Sequence, residues 1–176
     1  MLFNEIYYRD DKDLLDFNNS KIIFRNAVRA IIRNDNKILM VHLEKTDEYK
    51  FPGGGRKEHE TVEEAIRREV LEEVGYMVKK VHERIGIITE FAIAQDGENN
   101  IFKMDSEYYV AEIDEKPREQ HLEEYEEALM FKPCWVAMEK AYRTNKERIE
   151  DKHREKTGGI DRETIVLGII KDTMEL

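Results

Sequence analysis

GGRKEHETVEEAIRREVLEEVGY, running from Gly54 to Tyr76, is the stretch from which the rest of the chain is best read. Thr61 followed three residues later by Glu64 is a capping-box pair, in which each side chain satisfies a backbone amide of the first turn. Gly75 stands where a left-handed residue ends a helix. The two signals predict a helix over Val62 to Val74. On such a helix each residue advances about 100°, so Glu69, Glu72 and Glu73, at i, i+3 and i+4, meet on one side of one turn. Glu69 and Glu73 also border the apolar stripe of Val62, Ala65, Ile66 and Val70, which places them away from the solvated face.

Like charges gathered at the margin of a core are costly unless they are protonated or bound to a cation. Hard carboxylate oxygens without His or Cys among them suit Mg²⁺, with Mn²⁺ as a substitute, rather than zinc. Taken alone, three glutamates are better read as a charged surface helix, paired with neighbours such as Arg67 and Arg68. The preceding glycines, Glu60, Arg68 and Gly75 shift the balance toward a metal site.

Working outward, Phe51-Pro52 and the glycines Gly53, Gly54 and Gly55 form a loop whose backbone can approach a ligand closely. Before it, 21–33 and 37–42 read as two strands of a β-hairpin joined at Asn34-Asp35-Asn36. After the helix, 77–93 and 101–113 read as further strands separated by the turn-like Asp96-Gly97-Glu98-Asn99-Asn100. The acidic run from Lys116 to Glu127 reads as a loop or short helix. A last strand follows at 131–136, with Pro133 marking an edge. Two helical patterns close the chain, from about Ala137 to Lys156 and from about Arg162 to Met174. There is no internal repeat.

At 176 residues the chain suits one domain. Hydrophobic residues make up 40% and charged residues 39%, a globular composition with a heavily charged surface. No apolar run approaches the roughly 20 residues that cross a bilayer. A single cysteine, Cys134, and an N-terminus without a basic and apolar leader fit a reducing, cytoplasmic setting. The net charge of −10 disfavours general nucleic-acid binding. A phosphate-bearing substrate would then need a cation between itself and the protein's own acids.

Gly54, Glu60, Arg68, Glu69, Glu72, Glu73 and Gly75 fall at the intervals of G-x5-E-x7-R-E-U-x-E-E-x-G-U, where U is aliphatic. Val70 fills the first aliphatic place, and Tyr76 stands at the second as a departure. This stretch resembles the Nudix box. The resemblance covers 23 of 176 residues. It implies an α/β fold, the Nudix-type α/β/α sandwich with a mixed β-sheet. It further implies an Mg²⁺-dependent pyrophosphohydrolase that cleaves a diphosphate linkage, in a nucleoside-diphosphate-linked or nucleoside triphosphate substrate, by water attack on phosphorus.

Under the same resemblance Glu69, Glu72 and Glu73 hold metal, with a loop carbonyl near Gly54 as a further ligand. Arg68 pairs with a glutamate and fixes the helix, and Glu60 braces the loop through Arg68. An additional carboxylate before the last strand is expected, with Glu127 the choice among Glu123, Glu124, Glu126 and Glu127. Arg25, Arg29 and Lys45, on or just after strands flanking the expected cleft, are candidates for substrate contact. Phe51, Phe91, Tyr108 and Tyr109 stack on a base or belong to the core.

The histidines form no HxH or HExxH pair, which argues against zinc. Cys134 is assigned no chemistry, and an isomerase on the same fold would need a cysteine in its cleft. A non-catalytic Nudix-fold module that senses a nucleotide is the main alternative. The substrate itself is unreadable. No proline falls between Pro52 and Pro117, so a marker of many ADP-ribose hydrolases is missing, and no coenzyme A signature stands in Leu39 to Phe51. A small nucleotide is favoured over an RNA 5′ end, and a homodimer is compatible with the family.

Overall fold

The computed structural model describes residues 1–151, 153 and 159–173. Its strands are β1 (Phe3–Tyr8), β2 (Ile22–Ile31), β3 (Arg33–Asn34), β4 (Lys37–Leu43), β5 (Glu48–Lys50), β6 (Val78–Ile93), β7 (Ile101–Ile113) and β8 (Phe131–Ala137). Its helices are α1 (Val62–Val74), α2 (Glu124–Ala128), α3 (Met138–Glu150) and α4 (Ile160–Thr173).

One sheet has the order β1-β6-β7-β2 and is mixed. β6 and β7 form the long antiparallel pair, while β1 joins β6 and β2 joins β7 in parallel. In the second sheet β4 is flanked by β3 and β5, and β8 pairs along its whole length, with Pro133 opposite Val41. The expected hairpin is therefore only partly realised. Its paired portion is the two-residue contact of Arg33 and Asn34 with Ile38 and Lys37, whereas β2 belongs to the other sheet. The chain changes sheet at Ile32, because both faces of this segment are buried and each needs its own cover.

Two apolar clusters lie on opposite sides of the strands. On one side Ala65, Ile66, Val70 and Val74 of α1 pack against Val28, Ala30, Leu39 and Val41. On the other, Ala141 of α3 and Val166, Leu167 and Ile170 of α4 cover Ile38, Met40, Phe51, Ile88 and Tyr108. This is an α/β/α sandwich. Each fully buried Ile, Leu or Phe contributes roughly 1.5–3 kcal/mol. Phe51 and Tyr108, both fully buried, meet edge to face at 5.6 Å and so belong to the core rather than to a stacking platform.

Helix α1 has the predicted limits. Thr61 Oγ1 accepts from the Glu64 amide at 3.2 Å and Glu64 Oε2 accepts from the Thr61 amide at 2.8 Å. Gly75, at φ 75°, closes the helix with its N–H on the Leu71 carbonyl. Helix α3 ends at Glu150, and Asp151 is extended, which is earlier than the sequence pattern suggests. The rest of that expected helix and Met174 lie outside the described residues, Asp151 and His153 excepted. No helix of the described residues is long and apolar enough to cross a membrane.

Candidate active site

The glycine loop is laid along the outer edge of β2. The amides of Val28 and Ala30 donate to the carbonyls of Gly54 (3.0 Å) and Pro52 (2.8 Å), and the Arg56 amide donates to Asn26 (3.0 Å). A Cβ on Gly54 would sit 2.6–2.8 Å from the carboxylate atoms of Glu69, so glycine is what lets the loop backbone lie against that side chain.

Glu73 is 1% exposed. It accepts from the Gly53 amide at 2.7 Å and from Lys50 Nζ at 2.6 Å. Burial raises its pKa to about 7, although Lys50, Arg29 and the Gly53 amide favour the anion. Burial likewise raises Glu69, against the pull of Arg68. Arg68 is the hub of the loop–helix junction. It donates to Glu60 through Nε (2.5 Å) and Nη2 (2.9 Å), to Glu69 (2.7 Å), to Glu72 (3.1 Å) and to the Gly55 carbonyl (3.1 Å). That bidentate bond pulls Glu60 down to about 2.

Beside the loop opens a cavity of about 340 Å³. Its charged lining is Arg9, Arg25, Arg29, Lys50 and Arg162 against one acid, Glu90. Phe102, Tyr125 and Phe131 supply aromatic walls. In a chain of net charge −10 this is a local reversal of sign.

Of the residues expected to bind substrate, Arg25, Arg29 and Gly54 line this cavity. Arg25 is exposed, with its guanidinium against Gly55. Arg29 is buried and donates to the Gly53 carbonyl. Lys45 is exposed in the β4–β5 turn, outside the lining. Glu127 also falls outside it, on the solvent side of α2, while its neighbour Glu126 is buried as a capping residue. Phe91 stacks on Tyr8, and Tyr109 donates to Glu107. Neither lines the cavity. Burial pushes the Cys134 thiol up to about 11, which makes it a poor nucleophile.

Lys50, Arg9, Glu90 and Arg162 are site residues that sequence reasoning missed. Lys50 is set by the three-residue β5, whose Tyr49 is clasped by the buried Asn145 amide through its N–H and carbonyl, each at 2.8 Å. The signal available was only its place just before Phe51-Pro52.

The donor chemistry suits a hard divalent cation: three carboxylates on one turn, two of them buried, beside a loop backbone. As the side chains stand, no three His, Cys, Asp or Glu groups among the described residues form a ready metal cluster. Arg68 and Lys50 hold the carboxylates instead.

The family model of the NUDIX domain matches residues 23–157. The chain belongs to the Nudix family. Nudix hydrolases generally use divalent metal ions. Solved structures agree on the Nudix fold. A NUDIX hydrolase from Nitrosomonas europaea is 17% identical, with a TM-score of 0.53 over 86% of this chain and 89% of its own. A MutT NUDIX hydrolase from Burkholderia pseudomallei is 20% identical, with a TM-score of 0.52 over 84% and 98%. An ADP compounds hydrolase is 18% identical, with a TM-score of 0.51 over 86% and 73%. At these identities the likeness establishes the fold alone. No curated protein matches the chain.

Proposed function

We propose that this Nudix protein, acting as one domain, is an Mg²⁺- or Mn²⁺-dependent pyrophosphohydrolase. Its substrate is a nucleoside-diphosphate-linked compound or a nucleoside triphosphate, cleaved by water attack on phosphorus. The observation that carries this reading is the cavity of five cationic side chains opening on the glycine loop, whose Gly53 amide is bonded to Glu73 of α1. Such a lining attracts a polyanion that the rest of the surface repels.

Glu69, Glu72 and Glu73 are the residues that would hold the cation, with the loop carbonyl at Gly54 as a further donor. When bound, the cation supplies Lewis-acid polarisation of the phosphoryl oxygens and lowers the pKa of water. Arg25, exposed and in no ion pair among the described residues, binds a substrate phosphate, and Lys50, over the Phe131 ring, adds positive charge to the lining. A carboxylate of the site accepts the proton of the attacking water. Arg68 holds the carboxylates and the loop in register rather than touching substrate.

A nucleotide-sensing module is the second reading, favoured by the way Arg68 and Lys50 already satisfy the carboxylates. Incubating the protein with a panel of nucleoside di- and triphosphate derivatives, with Mg²⁺ and then EDTA, separates the two. Metal-dependent release of phosphate or nucleotide is expected. Binding without turnover across the panel would leave the sensing module.

A further inference from the structure

Helix α4 begins at Ile160, beyond the segment that matches the Nudix model, yet its first turn reaches the cavity. A chain of alternating charges leads from it to the glycine loop. Arg9 Nη1 lies 3.3 Å from Glu90, and Arg162 Nη1 lies 2.6 Å from the other oxygen of Glu90. Arg162 Nη2 donates to Glu163 Oε1 at 3.0 Å, and the same oxygen lies 3.7 Å from Arg29 Nε. Arg29 in turn donates to the Gly53 carbonyl, while Glu163 Oε2 accepts from the Phe51 amide at 3.1 Å.

Glu90, Arg162, Glu163 and Arg29 are all buried. Apolar residues of similar volume would hold α4 in place at least as well, because desolvation consumes most of what a buried ion pair gains. The distinctive effect of such a network is to fix one geometry, and in it the buried Arg29 Nε has its ion pair with Glu163 and no hydrogen bond. Here that geometry is the loop's. Glu163 grips residue 51 directly and residue 53 through Arg29, one on each side of the stiff Pro52. Gly53 is then held from its other side by Glu73, which accepts its N–H at 2.7 Å. Gly159 makes the approach feasible: at φ 110° its carbonyl accepts from the Glu163 amide, and a Cβ there would stand 2.6 Å from Arg162 Nη2.

We infer that Glu163 is a positioning residue of the hydrolytic site, acting through Arg29 to set the Phe51–Gly53 backbone against Glu73. The inference rests on the hydrolase reading above for its kinetic consequence, but not for its structural one. Glu163→Gln keeps the size and an acceptor for Phe51 while removing the charge that faces Arg29. It lowers kcat by about 10- to 100-fold with KM within about threefold, the pattern of a misplaced catalytic geometry. Amide exchange at Gly53, read by NMR on the metal-free protein, quickens at least about tenfold because local opening is easier. Arg29→Lys gives a similar loss, and the double variant is no worse than the worse single one, since both lie on one chain of contacts.

Wild-type kcat together with wild-type Gly53 exchange in Glu163→Gln overturns the inference, as do penalties that multiply in the double variant. If the wild-type protein turns over none of the nucleotide panel, the hydrolase reading fails while Gly53 exchange still decides the positioning. Should Glu163→Gln not fold, Arg162→Lys loosens the Arg162–Glu163 pair that holds Glu163 toward Arg29, with charge retained, and carries the same two expectations.

Discussion

Lys50 Nζ and Glu73 Oε1 meet at 2.6 Å, on a carboxylate that is 1% exposed. The chain thus supplies its own counter-ion to the most deeply buried acid of the Nudix helix. Lys50→Met keeps the length of the side chain and removes the ammonium. In EDTA it should lower stability by about 3 kcal/mol, because an unpaired buried carboxylate is left behind. Mg²⁺ should recover part of that loss. Urea melts with and without the cation test both statements; a midpoint that ignores Lys50→Met would show that the pair contributes nothing.

Glu73→Gln conserves shape and deletes a charge next to the glycine loop. Hydrolysis should fall by about 10²-fold or more, with the circular dichroism melt close to that of the wild type. Turnover within a factor of about three of the wild type would remove Glu73 from the metal set.

Arg25 is exposed beside Gly55, with its guanidinium available to a ligand. Arg25→Ala should raise KM about tenfold with kcat little changed, the signature of lost ground-state binding worth about 1.5 kcal/mol. A fall confined to kcat would instead place Arg25 on the transition state.

Unlike Glu69 and Glu73, Glu60 has its pKa lowered, to about 2 from an ordinary 4.5, by its bond with Arg68. Its contribution is therefore fully present above pH 4.5 and is lost as the pH falls through 2. With 17% of its side chain exposed, the effect is discounted to about 2 kcal/mol. Between pH 5 and pH 2 the wild type should lose about that much more stability than Glu60→Gln. Parallel stability curves would contradict the assignment.

Local signals carried the reading furthest. Thr61, Glu64 and Gly75 delimit α1 because capping is a matter of neighbouring backbone amides, and the structure has the same limits. The Asp96–Asn100 turn joins β6 to β7 as its composition suggests, with Gly97 and Asn99 at positive φ. What escaped depends on distant partners. β1 alternates too weakly to read as a strand, with Asn4, Glu5 and Ile6 exposed, and it is held by β6 some 80 residues away. Arg9, which follows it directly, went unnoticed with it.

In the site, the spacing of Glu69, Glu72 and Glu73 was legible, whereas the cations that face them were not. Arg9 after β1, Lys50 of β5 and Arg162 of α4 arrive from separate elements, and only tertiary packing brings them to one cavity. Lys45 and Glu127 illustrate the converse: both are polar residues near the right part of the chain, but the β4–β5 turn and the solvent side of α2 carry them outward.

The glycine loop that runs beside β2 has one more consequence. By bonding to Asn26, Val28 and Ala30 it caps the rim of a sheet that would otherwise offer bare amides and carbonyls to a stray strand. The proposed catalytic geometry and resistance to aggregation are therefore tied to the same six residues, 51–56. Insertions there would threaten both at once, while the tip at 96–99 is free to lengthen.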